Sequence, residues 1–145
     1  MKASELVSEL GAALGITLSL GDEGTCRIFF DEDVVDFEKS GNSLYVMADL
    51  SSASGREDAC KRLLSANCLG AETGGATLSL DAAREVFMLH AMFQEDTPYP
   101  AFEERISMFV KALRYWKEWL SLPPSNADSS REEEESVSTL NMIRI

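Results

Sequence analysis

The sequence predicts an α+β fold, with a mainly antiparallel five-stranded sheet packed by helices in the order α-β-β-β-α-β-β-α. Three observations predict it. Leucines recur every four residues near the N-terminus. Three short runs of β-branched and aromatic residues then follow one another across brief polar separators. A long amphipathic pattern closes the chain before the composition turns acidic.

The elements follow in order. Leu6, Leu10 and Leu14, with Val7 and Ala13 beside them, predict a helix over 4–14 that ends at Gly15. Residues 16–20 are a short extended piece, and GDEG (21–24) is a turn. TCRIFF (25–30), VVDFE (34–38) and SLYVMADL (43–50) predict three strands. The separators DED (31–33) and KSGN (39–42) make these strands an antiparallel meander. Ser54 and Glu57 have capping-box spacing, and a helix is expected over 56–69 with Ala59, Leu63 and Ala66 near one stripe. The glycines between 70 and 75 break it. ATLSL (76–80) and EVFMLHAMF (85–93) predict two more strands joined by DAAR (81–84). Two prolines between 97 and 100 suit a helix start. The last helix, over 101–120, carries Phe102, Ile106, Phe109, Val110, Leu113 and Leu120 on its apolar stripe. Residues 1–120 read as one domain, and 121–145 as an acidic, flexible tail.

Composition narrows the function classes. A net charge of −12 over 145 residues repels a phosphate backbone and argues against nucleic-acid binding. No apolar run reaches the length of a membrane span. Glu5 and Glu9 interrupt the first apolar pattern, unlike a signal peptide. The three cysteines, Cys26, Cys60 and Cys68, form no CxxC. Cys60 and Cys68, eight apart on the expected helix, are too distant for a disulfide. A reducing cytoplasm fits them best.

Candidate chemistry is sparse. LLSANCLGAETGGATLSLD (63–81) has paired glycines but no lysine, carries Glu72 inside the loop and follows a helix. A phosphate loop needs the opposite of each. The glycines instead read as a joint between helix and strand. His90 has no sister histidine for a metal site, and Asp31, Glu32 and Asp33 lack EF-hand spacing. No cofactor or metal is expected. The cysteines sit in apolar periodic segments, which favours buried, inert thiols over a nucleophile.

Apolar surplus is more informative. Val86, Met88, His90 and Met92 point one way from the last strand; Phe87, Leu89, Ala91 and Phe93 point the other. Three helices can cover one face of such a sheet, or split between the two faces and close a monomeric core; the first arrangement is favoured. The second face then calls for another polypeptide.

The block 63–93 resembles the central region of class I type III secretion chaperones, the Tir-chaperone-like family. Leu63, Leu64, Asn67, Gly70, Gly74, Leu80 and Asp81 carry the resemblance, with the opening helix, the acidic turn and the Cys26 strand, and with Trp116 and Trp119 in the last helix. It covers about residues 4–120; the acidic tail has no clear counterpart. Several expectations follow from the resemblance rather than from spacing. The chain is a small cytoplasmic homodimer of a Gram-negative bacterium, without enzymatic activity. It holds the N-terminal segment of a secreted effector in extended form, and the secretion-system ATPase is a further partner. The dimer interface is Ala59, Cys60, Leu63, Leu64, Asn67, Ala76, Leu78 and Leu80. The effector lies on Leu6, Leu10, Leu14, Leu18, Leu20, Ile28, Phe29, Phe30, Val35 and Phe37. Two other readings stay open on the residues themselves: an α+β regulatory or scaffolding domain for another cytoplasmic protein, and a small cysteine-dependent enzyme.

Overall fold

The computed structural model describes residues 2–123. The expected tail, from 124 onward, lies outside the described residues. The order is α1 (Ala3–Leu14), β1 (Thr25–Phe30), β2 (Asp33–Ser40), β3 (Ser43–Ser52), α2 (Glu57–Asn67), a 3-10 turn (Cys68–Gly70), β4 (Thr77–Asp81), β5 (Val86–Gln94) and α3 (Tyr99–Ser121). The strands form one antiparallel sheet in the spatial order β1-β2-β3-β5-β4. β1 and β4 are therefore its two edges.

Strand alternation sorts the side chains cleanly. Ile28, Val35, Phe37, Leu44, Val46, Ala48, Leu78, Phe87, Leu89, Ala91 and Phe93 share one face, and all are buried. They meet Leu6, Val7 and Leu10 of α1, Ala59, Leu63 and Ala66 of α2, and the α3 stripe in a single core. All three helices thus cover the same face. The core continues through α3, where the Trp116 and Trp119 rings cross edge to face at 5.7 Å.

Several local expectations change. The Ser54–Glu57 capping box is not formed: α2 begins after Arg56 with no side-chain cap. Arg56 instead donates to the Leu120 carbonyl at 2.6 Å and pairs with Asp58, tying the start of α2 to the end of α3. The helix also ends earlier than expected, so Cys68 falls in the following turn and is exposed rather than buried. Residues 16–20, read as an extended piece outside the five strands, belong to no regular element. Their chain folds back over Gly11, where any Cβ would stand 2.8 Å from the Ile16 carbonyl oxygen.

The glycine joint reads as expected. Gly74 has a left-handed backbone (φ 63°), and a Cβ there would press on Met108 of α3 at 3.2 Å. Glu72 is fixed rather than open to a ligand. Its carboxylate takes two bonds of 2.9 Å from Arg62, and its carbonyl accepts from the Trp116 indole at 2.9 Å.

Candidate functional site

The two sheet edges are built differently. Antiparallel pairing turns each residue's N–H and C=O alternately toward and away from its neighbour. Along β4 the outward positions are Ala76, Leu78 and Leu80. At Leu78 the Asn67 amide from α2 supplies both partners: its Nδ2 donates to the Leu78 carbonyl, and its Oδ1 accepts from the Leu78 N–H, each at 2.7 Å. At Ala76, Thr73 does the same with its hydroxyl and carbonyl. A side chain therefore stands where a neighbouring strand would stand, and this edge is blunted over two successive positions.

Along β1 the phase is set by Lys39, whose N–H donates to the Gly24 carbonyl at 2.8 Å. The pairing partners of β2 are then Cys26, Ile28 and Phe30, and the outward positions are Thr25, Arg27 and Phe29. The Thr25 carbonyl accepts from the Gly21 N–H. The outward backbone groups of Arg27 and Phe29 have no partner among the described residues. Phe29 is 65% exposed, so an apolar ring stands beside an open hydrogen-bonding edge.

Apolar surface surrounds this edge. Leu14 and Ile16 are exposed where α1 ends, and Leu18, Leu20 and Phe30 are partly buried against the core. The sheet face away from the helices carries Phe29, Tyr45, Met47, Met88, His90 and Met92, all partly or largely exposed. No helix among the described residues packs on it. Three ion pairs lie on it, Arg27 with Asp36 at 2.7 Å and Arg84 with both Asp49 at 2.9 Å and Asp81 at 2.8 Å. Methionine side chains adapt to varied apolar partners.

The open edge is held in place from behind. Arg114 and Lys117 of α3 reach Asp33 at 2.9 and 3.0 Å, and Arg114 also reaches Asp31 and the Phe30 carbonyl. Burial alone would raise the Asp33 pKa, but the hydrogen bonds and charges of Arg114 and Lys117 outweigh it and hold the carboxyl below its ordinary value.

A second apolar surface lies on α2 and the turn after it. Leu64 is 70% exposed, and Leu80 is exposed on the nearby strand. Leu69 is 99% exposed and has a left-handed backbone at φ 58°. A leucine held in that conformation carries strain.

The named residues fall into two groups. Of the effector set, Leu6, Leu10, Ile28, Val35 and Phe37 lie in the protomer core, where they support the surface from beneath. Leu14, Leu18, Leu20, Phe29 and Phe30 keep accessible area. Of the dimer set, Ala59, Leu63, Ala76 and Leu78 are core residues, while Cys60, Leu64, Asn67 and Leu80 keep accessible area. Ile16, Tyr45, Met92 and Leu69 are exposed apolar residues outside both sets. Leu69 had a sequence signal: it falls off the stripe of Ala59, Leu63 and Ala66, immediately before a glycine.

Cysteine chemistry finds little geometry. Cys26 faces the helices, whereas His90 lies on the opposite sheet face, so they make no nucleophile–base pair. Burial raises the Cys26 thiol pKa; the Ser19 N–H opposes this, and the Asp36 carboxylate adds to it. Among the described residues, no three His, Cys, Asp or Glu side chains gather as a metal site, and no helix is long and apolar enough to cross a membrane.

One blunted edge, one open edge and a sheet face with exposed apolar side chains that no described helix covers distinguish this α+β protein. The chain belongs to the Tir chaperone protein (CesT) family, whose model matches residues 5–117. Its fold is that of class I type III secretion chaperones. A chain of the ExsC–ExsE complex superposes with a TM-score of 0.67 at 20% identity, covering 81% of this chain and 96% of that one. For the heterodimeric ExoU–SpcU complex of the Pseudomonas aeruginosa type III secretion system the values are 0.66 and 15%, over 77% and 95%. For the Yersinia pestis secretion chaperone SycH in complex with a fragment of YscM2 they are 0.63 and 17%, over 78% and 98%. No curated sequence matches the chain significantly.

Proposed function

We propose that this chain is a non-enzymatic, homodimeric chaperone of a type III secretion system, acting in the cytoplasm of a Gram-negative bacterium. It holds the N-terminal segment of a secreted effector extended and unfolded. The observation that carries this reading is the open β1 edge at Arg27 and Phe29, flanked by exposed apolar side chains. An effector segment adds there as a strand. Its backbone satisfies the free N–H and C=O groups, and its alternate side chains settle against Phe29 and the ends of α1. Binding needs no ATP, because the contacts themselves offset the cost of ordering the segment.

Family membership and the complexes formed by structurally similar chains support this reading. The second copy is assigned to the Leu64, Leu69 and Leu80 surface, leaving β1 for the client. Handover to the secretion ATPase would follow client loading.

The test begins with the full chain as bait in lysate of its host, followed by protease trimming of whatever is retained. The expected product is a protected fragment from the N-terminal region of a secreted protein, lost when the bait carries Phe29→Lys. Retention of a folded protein, captured equally by both baits, contradicts the proposal.

A further inference from the structure

We propose that residues 136–145 of this same chain occupy the β1 edge when no client does. The inference rests on reading β1 as the client edge. An exposed strand edge is a hazard for a protein that waits unliganded, because it templates pairing with other chains. β4 reduces the hazard at Leu78 and Ala76 through Asn67 and Thr73, which leaves Leu80 as its outward position without such a clamp. Nothing among the described residues does so for Arg27 and Phe29.

The chain's own geometry puts a candidate nearby. The last turns of α3 lie against the Phe30 end of β1: Arg114 donates to the Phe30 carbonyl at 3.3 Å, and Lys117 reaches Asp33. Leu122, one residue before the described structure stops, packs against the core. A further 22 residues follow Pro123. The first twelve, PSNADSSREEEE, are polar and acidic. At full extension twelve residues reach about 40 Å, whereas six-residue β1 spans about 20 Å.

The next ten read SVSTLNMIRI. Val137, Thr139, Ile143 and Ile145 are β-branched and fall on alternate positions, with no glycine or proline and a single charged side chain, Arg144. This is strand chemistry. A linker of that reach lets the segment pair with β1 in the antiparallel sense, entering at the Phe30 end. Tethering gives it an effective concentration on the order of millimolar, so a weak strand suffices to cover the edge and a client still displaces it.

The experiment is amide hydrogen exchange on the full chain and on a full-length variant carrying Leu140→Pro and Met142→Pro, both confirmed to be folded by circular dichroism. Proline removes the N–H groups that a strand must donate. In the parent chain, exchange at Arg27 and Phe29 is expected to be about ten-fold slower or more than in the variant, with Leu78 slow in both. Adding the synthetic peptide SVSTLNMIRI to the variant at millimolar concentration should restore the slow exchange. Equal exchange at Arg27 and Phe29 in the two chains, or no effect of the peptide, overturns the proposal. So does protection in the parent that grows with protein concentration, since that assigns the strand to a second copy. Repeating the comparison with the co-purified client separates the two claims. If the client protects Arg27 and Phe29 in both chains while the two free chains exchange alike, only the tail inference falls. If the client leaves them unprotected, the reading of the edge itself falls.

Discussion

The two edges of the sheet differ by what one asparagine reaches. At β4, Asn67 offers its amide to both backbone groups of Leu78, and Thr73 repeats the device at Ala76. At β1, Arg27 and Phe29 present the same backbone groups to open space beside an exposed ring. The difference teaches how a single sheet can be closed against one neighbour and ready for another. Closure is specific and costs two polar side chains. Readiness requires that nothing be supplied, and that the strand still be held in position. Asp31 and Asp33, gripped by Arg114 and Lys117, provide that second condition.

The largest expected effect comes from breaking the closed edge. Asn67→Ala leaves the Leu78 N–H and C=O without partners in a part-buried place, which should cost about 2–4 kcal/mol of folding stability. Urea unfolding of the variant measures it, and an unchanged midpoint would mean that the amide clamp contributes nothing. Next is the surface beside that edge. Leu64→Glu should weaken self-association by about 2 kcal/mol while leaving protomer folding unchanged. Light scattering should give about twice the 16.0 kDa chain mass for the parent and a smaller value for the variant at low concentration. A parent that is monomeric at every concentration would remove the dimer from the proposal.

The open edge should respond in the opposite way. Phe29→Lys places a charge on an edge that needs an apolar contact. Folding stability should move by no more than about 0.5 kcal/mol, since the ring is largely exposed. Client affinity should fall about ten-fold, or 1.4 kcal/mol. A large loss of stability with unchanged client affinity would reverse the assignment of the two edges.

The smallest effect concerns the brace. The Asp33 pKa is lowered in the folded chain, so its pairing stabilises the fold above the ordinary value of 3.8 and is lost as pH falls below it. Asp33→Asn should remove that part of the acid dependence, about 1 kcal/mol given the half-exposed partners, and should flatten the stability profile only in the acid range. An identical acid profile in parent and variant would remove Asp33 from the brace.

Much of the fold was legible because its signals are periodic. Leu6 and Leu10, the alternation in β3 and β5, and the α3 stripe each specify an element and its buried face without reference to anything distant, whereas Leu14 continues the helical spacing but lies exposed. The glycine joint was legible because Glu72 and the missing lysine spoke against a phosphate loop. The site was less so. Leu6, Leu10, Ile28, Val35 and Phe37 are as apolar as Phe29, and only the packed sheet shows which of them the helices cover. The edge chemistry was hidden for a further reason. Asn67 and Leu78 are eleven residues apart, and nothing local says that one amide will satisfy the other's backbone. The Ser54–Glu57 pair failed as a cap because Arg56 reached across the fold to Leu120 instead, a tertiary contact overriding a local pattern.

The difference between the edges is most directly tested by amide hydrogen exchange at three positions, in the chain carrying Leu140→Pro and Met142→Pro, before and after client binding. The expected result is rapid exchange at Arg27 and Phe29 and slow exchange at Leu78 in the free chain, with the client slowing the first two alone. Rapid exchange at Leu78 in the free chain, or client protection that appears along β4 and spares β1, would contradict it.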